Sequence, residues 1–344
     1  MKICIATDAW HPQINGVVTT VSRTAATLHG WGHEVMILAP DRFKTIACPT
    51  YPEIRLALAR PGAIRKLLAD CAPAAVHIAT EGPLGWATRA ACRRLGLAFT
   101  TSYHTRFPEY LRLRAPVPPA FSYALLKVFH GRATRTMAAP TIIDELARRK
   151  FANLVPWSRG VDTALFRPRP DTPPQSAPPL FVFVGRVAPE KNLPAFLDLD
   201  LPGEKWVIGD GPALPVLRRA YPRVRFFGAK RGDDLACHLA AADVFVFPSL
   251  TDTFGIVLLE ANACGVPVAA FPVTGPQYLV REGINGCLDT DLRAAALRAL
   301  TLSRAACRDT AVGYSWDACT RQFLGNLALN QADEPVADAC ALRG

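Results

Sequence analysis

The feature that most constrains this chain is a repeated alternation: short, continuous apolar runs separated by stretches of helical periodicity, interrupted once by prolines. Before the interruption the apolar runs are KICIATD (2–8), EVMILAP (34–40), EIRLALA (53–59), AAVHIAT (74–80), AFTTSYH (98–104) and RTMAAP (135–140). After it they are LFVFVGR (180–186), KWVIGD (205–210), VRFFGA (224–229), DVFVFPS (243–249) and VPVAAF (266–271). Runs that are apolar throughout suit parallel strands buried on both faces. Helical patterns such as GVVTTVSRTAATLHGWG (16–32) and GPLGWATRAACRRLG (82–96) lie between them. Strand–helix alternation of this kind specifies doubly wound α/β units.

The interruption, RPRPDTPPQSAPP (167–179), holds six prolines and can be neither helix nor central strand. A chain of 344 residues exceeds one ordinary core. The expected organisation is therefore two Rossmann-like domains facing across a cleft, residues 1–168 and 180–313, joined by a proline-stiffened linker over 169–179. An amphipathic pattern, YSWDACTRQFLGNLALN (314–330), would pack back on the first domain.

Composition narrows the function. No stretch reaches ~18 uncharged apolar residues, so no spanning helix is expected. Asp8 within MKICIATDAW argues for a buried first strand rather than a signal peptide. Ten scattered cysteines form no CxxC pair, which suits reduced buried thiols and supplies no zinc-ligand spacing. Residues 1–168 carry 22 Lys+Arg against 10 Asp+Glu, whereas residues 169–344 carry 17 against 19. A basic first half points to an anionic surface partner. Its basic amphipathic stretches, RPGAIRKLLADC (60–71) and RFPEYLRLRAPVPPAFSYALLKVFHGRATR (106–135), favour a membrane surface. No nucleic-acid-binding motif is present.

Five loops after strands carry candidate chemistry. In TDTFGIVLLEANACGVPVAAF (251–271) a helix is expected from Phe254, with Asp252 on the loop and Glu260 about two turns on. The amides of Phe254, Gly255, Ile256 and Val257 would suit a diphosphate; an ordinary N-cap at Thr251 or Asp252 is the alternative. In GRVAPEKN (185–192), Arg186 and Lys191 would converge on one anion, or form a solvated loop. Asn15-Gly16 is a turn signal, and Gly16 would let a phosphate or sugar approach the backbone. His104 and Glu81 follow strands at their carboxyl ends, facing the cleft; Glu81 would otherwise serve as a helix-start carboxylate.

GRVAPEKN, VIGDGP (207–212), FPSLTDTFGIVLLEANACGVPV (247–268) and the Asn-Gly turn resemble the retaining glycosyltransferases of family 4, which have the GT-B fold. SYHTRFPEY (102–110) and WSRGVDTALFRPR (157–169) are similar to the subgroup of mannosyl-, sulfoquinovosyl- and glucuronosyl-transferases acting on diacylglycerol. One departure is Asp252 in place of the first of the family's two glutamates. The resemblance implies that Arg186 and Lys191 bind the donor diphosphate, Asp252 and the following amides the sugar and phosphates, and Glu260 the ribose. It implies that Gly16 approaches the diphosphate, that His104 contacts the sugar, and that backbone near Ala229 and Lys230 holds the nucleobase. Glu81, Tyr103 and Arg106 fall on the acceptor side.

The resulting expectation is a retaining, metal-independent hexosyltransferase with no cofactor. It would use GDP-mannose or a UDP-sugar such as UDP-glucuronate or UDP-glucose, with Arg159 or Arg106 meeting a uronate carboxylate. The acceptor would be a lipid, diacylglycerol first, at the cytoplasmic face of the cell membrane, with no nucleic-acid partner. Transfer to a soluble glycan or metabolite is the alternative within the enzyme class. A non-catalytic nucleotide-sugar-binding protein is the alternative outside it.

Overall fold

The computed structural model describes residues 1–13, 15–48, 51–112, 117–169 and 178–330. Residues 170–177, most of the proline-rich linker, lie outside the described residues, as does Cys340.

The first sheet is built from β1 (Lys2–Ala6), β2 (Glu34–Leu38), β5 (Ala75–Ile78), β6 (Thr100–Tyr103), β7 (Arg135–Ala138) and β8 (Leu154–Pro156), in the spatial order β2-β1-β5-β6-β7-β8. Every pairing is parallel, with Ile3 opposite Val35 on one side and Ala75 on the other. The second sheet holds β9 (Leu180–Val184), β10 (Glu204–Ile208), β11 (Arg225–Phe226), β12 (Val244–Phe247), β13 (Val268–Ala270) and β14 (Gly286–Leu288), in the order β11-β10-β9-β12-β13-β14 and again all parallel. In each sheet the winding reverses once, between β1 and β5 and between β9 and β12. Ligands of open α/β sheets bind beyond the carboxyl ends of strands at such reversals.

One expected strand is placed differently. Residues 53–57 of the expected run 53–59 belong to β4 (Tyr51–Ala57), which pairs antiparallel with β3 (Thr45–Cys48) in a separate two-stranded ribbon. Arg55 interrupts that run and is exposed, donating to Thr45, so the strand has a wet face that no central parallel strand has. The short edge strands β8 and β14 were not expected, and the run 224–229 contributes only two paired residues.

The helix Trp316–Asn326 lies on the first domain. Its Cys319 and Phe323 pack with Ile3, Ile5, Leu28 and Trp157. Cys4, Cys92, Cys264, Cys287, Cys307 and Cys319 are buried free thiols, and Cys237 is exposed. Among the described residues no helix is long and apolar enough to cross a membrane.

Candidate active site

After β9 the chain turns at Gly185-Arg186, and the two loops beside it stack tightly. A Cβ on Gly209 would lie 1.8 Å from the Gly185 carbonyl oxygen, and one on Gly211 2.4 Å from that of Val187. This close approach is why the VIGDGP stretch needs its glycines. Arg186 is half-buried at the mouth of this stack. A 3-10 turn, Pro189–Lys191, then delivers Lys191 to Asp252, whose carboxylate oxygens accept from its Nζ at 2.6 and 2.8 Å. Both partners are largely shielded from solvent. Asn192 ties the same turn to the loop after β12 through the Pro248 carbonyl, at 3.2 Å.

The helix after β12 runs Ile256–Ala263, two residues later than expected. Gly255 is its N-cap, at φ +87°, and no side chain caps it. Thr251 and Asp252 therefore do not cap this helix. Gly255 is required by its left-handed backbone and by Leu258 Cδ1, which a Cβ would meet at 2.8 Å. The Phe254 ring is core, packed near Tyr278. The amides of Ile256 and Val257 open the helix without a capping side chain. Gly16 opens the helix Gly16–Gly30 of the first domain, where Asn15 accepts from the amides of Val17 and Val18. A Cβ built on Gly16 lies 3.8 Å from Ile256 Cδ1, so the two helix starts meet across the cleft. Two positive helix ends converge there. Glu260 sits one turn further along; burial pushes its carboxyl up to about 7, and Arg23 of the first domain pulls the other way.

Ala229 is exposed on the loop after β11, and Lys230 pairs with Asp234 at 2.9 Å. Arg231 crosses to the first domain and donates to the Pro12 carbonyl at 2.9 Å.

On the first domain, Asp8 rather than Glu81 caps the helix Pro83–Leu95, accepting from the amides of Leu84 (2.8 Å) and Gly85 (3.2 Å). This explains the charged residue in the first apolar run. A Cβ on Gly82 would strike that carboxylate, and one on Gly85 the Thr80 carbonyl, so EGPLG is fitted to Asp8. Glu81 instead meets His130 at 3.2 Å.

The His104 ring is buried and bonded at both nitrogens. Its Nδ1 accepts from Arg159 at 2.9 Å, and its Nε2 meets Ser102 Oγ at 2.9 Å. Burial, then the Arg159 charge, hold its pKa well below the ordinary histidine value, so it is neutral. What His104 offers the second domain is its carbonyl, which accepts from Thr253 Oγ1 at 2.8 Å. Thr141 donates in turn to the Thr253 carbonyl. Tyr103 is buried (1% exposed) in the core with Tyr123 and Phe151. Arg106 is occupied as an interdomain bridge, donating to Glu145 at 2.6 Å and to Thr274 at 2.9 Å. Arg159 is buried, 5% exposed, beside His104. Sequence reasoning missed Thr253, Thr141 and Thr274. Lone threonines carry no pattern, and only the apposition of the two domains selects them.

The profile described as Glycosyltransferase Family 4 matches residues 14–165, and the one described as Glycosyl transferases group 1 matches residues 178–304. The chain is 30% identical to a GDP-mannose-dependent alpha-mannosyltransferase of Corynebacterium glutamicum, over 95% of this chain and 89% of that one. It is also 30% identical to sulfoquinovosyl transferase SQD2 of Arabidopsis thaliana, over 86% and 67%. Among solved structures, sucrose-phosphate synthase from Thermosynechococcus elongatus superposes with a TM-score of 0.74 at 19% identity, covering 94% of this chain and 97% of that one. Sheet order, cleft and sequence agree: the chain belongs to the family 4 glycosyltransferases of GT-B fold and uses a nucleotide sugar.

Proposed function

We propose that this enzyme transfers a hexose, with retention of configuration and without a metal ion or cofactor, from a nucleoside diphosphate sugar to a lipid hydroxyl, diacylglycerol first. The observation that carries the reading is the meeting of the Gly16 and Ile256 helix starts next to the Lys191–Asp252 pair. A diphosphate drawn between two positive helix ends would take Lys191 from Asp252, and Arg186 would add a second cation. Asp252, released, would accept from sugar hydroxyls, Glu260 would accept from the ribose hydroxyls, and the backbone at Ala229 and Lys230 would border the base. The anomeric C–O bond breaks as charge develops on the diphosphate, where helix amides and cations offset it. The acceptor oxygen bonds to the anomeric carbon from the face the diphosphate leaves, and a departing phosphate oxygen takes the acceptor proton. The neutral His104 ring, bonded at both nitrogens, supports a route in which it moves no proton. GDP-mannose is the first donor to try, on the strength of the mannosyltransferase relative, followed by UDP-glucuronate and UDP-glucose.

Support for a lipid acceptor comes from the helix Pro119–His130. It turns Phe121 (68% exposed), Leu125 (47%) and Val128 (59%) outward along one face, with Phe107 exposed nearby. Lys127 and Arg132 are exposed on the same helix and just after it, and Arg93 and Arg132 both bear on the charge of Arg89, which holds its last carbonyls. An apolar stripe rimmed by cations suits peripheral binding to an anionic leaflet, here the cytoplasmic face. The test incubates the protein with radiolabelled GDP-mannose or UDP-sugars and a lipid extract. Label is expected in the organic phase, and label confined to water for every donor would sink the lipid reading. Flotation with anionic vesicles should be lost in a Phe121→Ser/Leu125→Ser variant.

A polar acceptor is the second reading. A cavity of about 360 Å³ opens between the domains beside Thr141, lined by Asp144, Glu145, Thr274, Gln277 and Tyr278. Hydroxyl-rich acceptors suit such a lining, and water-soluble labelled product would favour it.

A further inference from the structure

We propose that Arg159 is a positioning residue for sugar transfer: its guanidinium clamps the His104 imidazole in one orientation and one tautomer, and so sets where the His104 carbonyl points in the cleft. The role in transfer rests on the reading of this cleft as the transfer site; the clamp itself does not.

The geometry leaves little freedom. Arg159 is buried, and among the described residues no carboxylate pairs with it. Its Nη1 donates to the carbonyls of Trp157 and Ser158, each at 2.7 Å, and its guanidinium lies 4.6 Å from the Trp157 ring centroid. Its Nη2 is 2.9 Å from His104 Nδ1. Arginine has only donors, so Nδ1 must be the acceptor and the proton must sit on Nε2. Nε2 then donates to Ser102 Oγ at 2.9 Å, and that hydroxyl donates to the Ala79 carbonyl at 3.3 Å. His77 Nε2 also meets Ser102 Oγ, at 3.1 Å. The ring is thereby pinned to the ends of β5 and β6 and to the segment after β8.

That segment is itself held from behind. The Ser158 amide donates to Gln322 at 2.7 Å, Cys319 donates to the Ser158 carbonyl, and a Cβ on Gly160 would strike the Trp316 backbone. With its ring fixed, His104 presents its carbonyl to the second domain, where Thr253 Oγ1 reaches it at 2.8 Å. A buried cation without a counter-ion is costly to a fold. The titratable and charged groups bearing on the ring are Arg159, His77 and His130; the second domain faces it with Thr253.

The experiment compares the full-length protein with R159M and R159K. Histidine-labelled ¹⁵N spectra of the wild type should show His104 neutral with the proton on Nε2 from about pH 5 to 8, across the ordinary titration near 6.5. R159M should lower kcat about 100-fold with donor KM held within about threefold, the signature of lost alignment. It should also gain an acid limb in kcat as the unclamped ring takes a proton, which wild type lacks; R159K, keeping a donor, should recover part of kcat and remove that limb. A folded R159M with wild-type kcat and pH profile overturns the positioning role. A wild-type spectrum with the proton on Nδ1 overturns the clamp, and needs neither a folded variant nor a transferase assay.

Discussion

Glu260 offers the most quantitative test of how the cleft is built. Burial holds its carboxyl near 7 in the folded protein against an ordinary 4.5. An acid raised on folding keeps its proton in the native state, so its stabilising share is complete below about pH 4.5 and is lost as pH climbs through about 7. Above that range the charged form costs the interval between the two values, about 3 kcal/mol at about 1.4 kcal/mol per pH unit. The residue is half-buried rather than sealed, so water screens part of this, and the expected cost is about 1–3 kcal/mol. Glu260→Gln carries no charge at any pH. It should therefore be more stable than wild type by about 1–3 kcal/mol at pH 8 and by less than about 1 kcal/mol at pH 5. Urea unfolding of both proteins at both pH values measures this. The same variant should show a smaller thermal shift with nucleotide sugar, since the ribose contact is lost while the fold is strengthened. An equal effect of the substitution at pH 5 and pH 8 would refute the reasoning, because only a titrating, desolvated carboxyl makes the difference depend on pH.

Three further outcomes are expected. Lys191→Met should lower kcat/KM for transfer at least about 100-fold by removing a cation from the diphosphate and leaving Asp252 unpaired; steady-state kinetics checks it. Gly16→Ala should be neutral or stabilising by up to about 1 kcal/mol, since Ile256 at 3.8 Å leaves room for a methyl, yet should weaken donor binding if phosphate approaches that backbone; denaturation and a nucleotide titration separate the two. His77, pushed down to about 3, and His104, also lowered, are neutral in the fold but bind protons once unfolded. Their contribution is complete above about pH 6.5 and is lost on acidification below it, so urea midpoints should fall with pH in that window and less so in His77→Gln.

Much of the architecture could be read from the residues alone, for a definite reason. Parallel strands buried on both faces must be apolar throughout, and crossover helices must be amphipathic, so alternation announces the doubly wound units before any contact is known. Where burial is one-sided the signal weakens: EIRLALA resembles its neighbours, yet Arg55 marks a strand that pairs outside the parallel sheet. The stacked second-domain loops were legible because glycines, cations and a helix start fall at fixed spacings along the chain.

Side-chain direction was not legible. His104, Tyr103, Arg106 and Arg159 lie in segments that adjoin the cleft, but position along a strand end does not say which way a ring or guanidinium turns. The tertiary structure decided that: the helix Trp316–Asn326, far away in sequence, seats the Trp157–Arg159 segment, and Arg159 there donates to His104 Nδ1. The meeting of Gly16 with Ile256 and the pairing of Lys191 with Asp252 likewise depend on how loops from separate strands are packed. Local sequence determines periodicity, capping and backbone preference through interactions a few residues long. Which groups share a desolvated site depends on contacts between residues hundreds apart, and these exist only once the two sheets have been assembled.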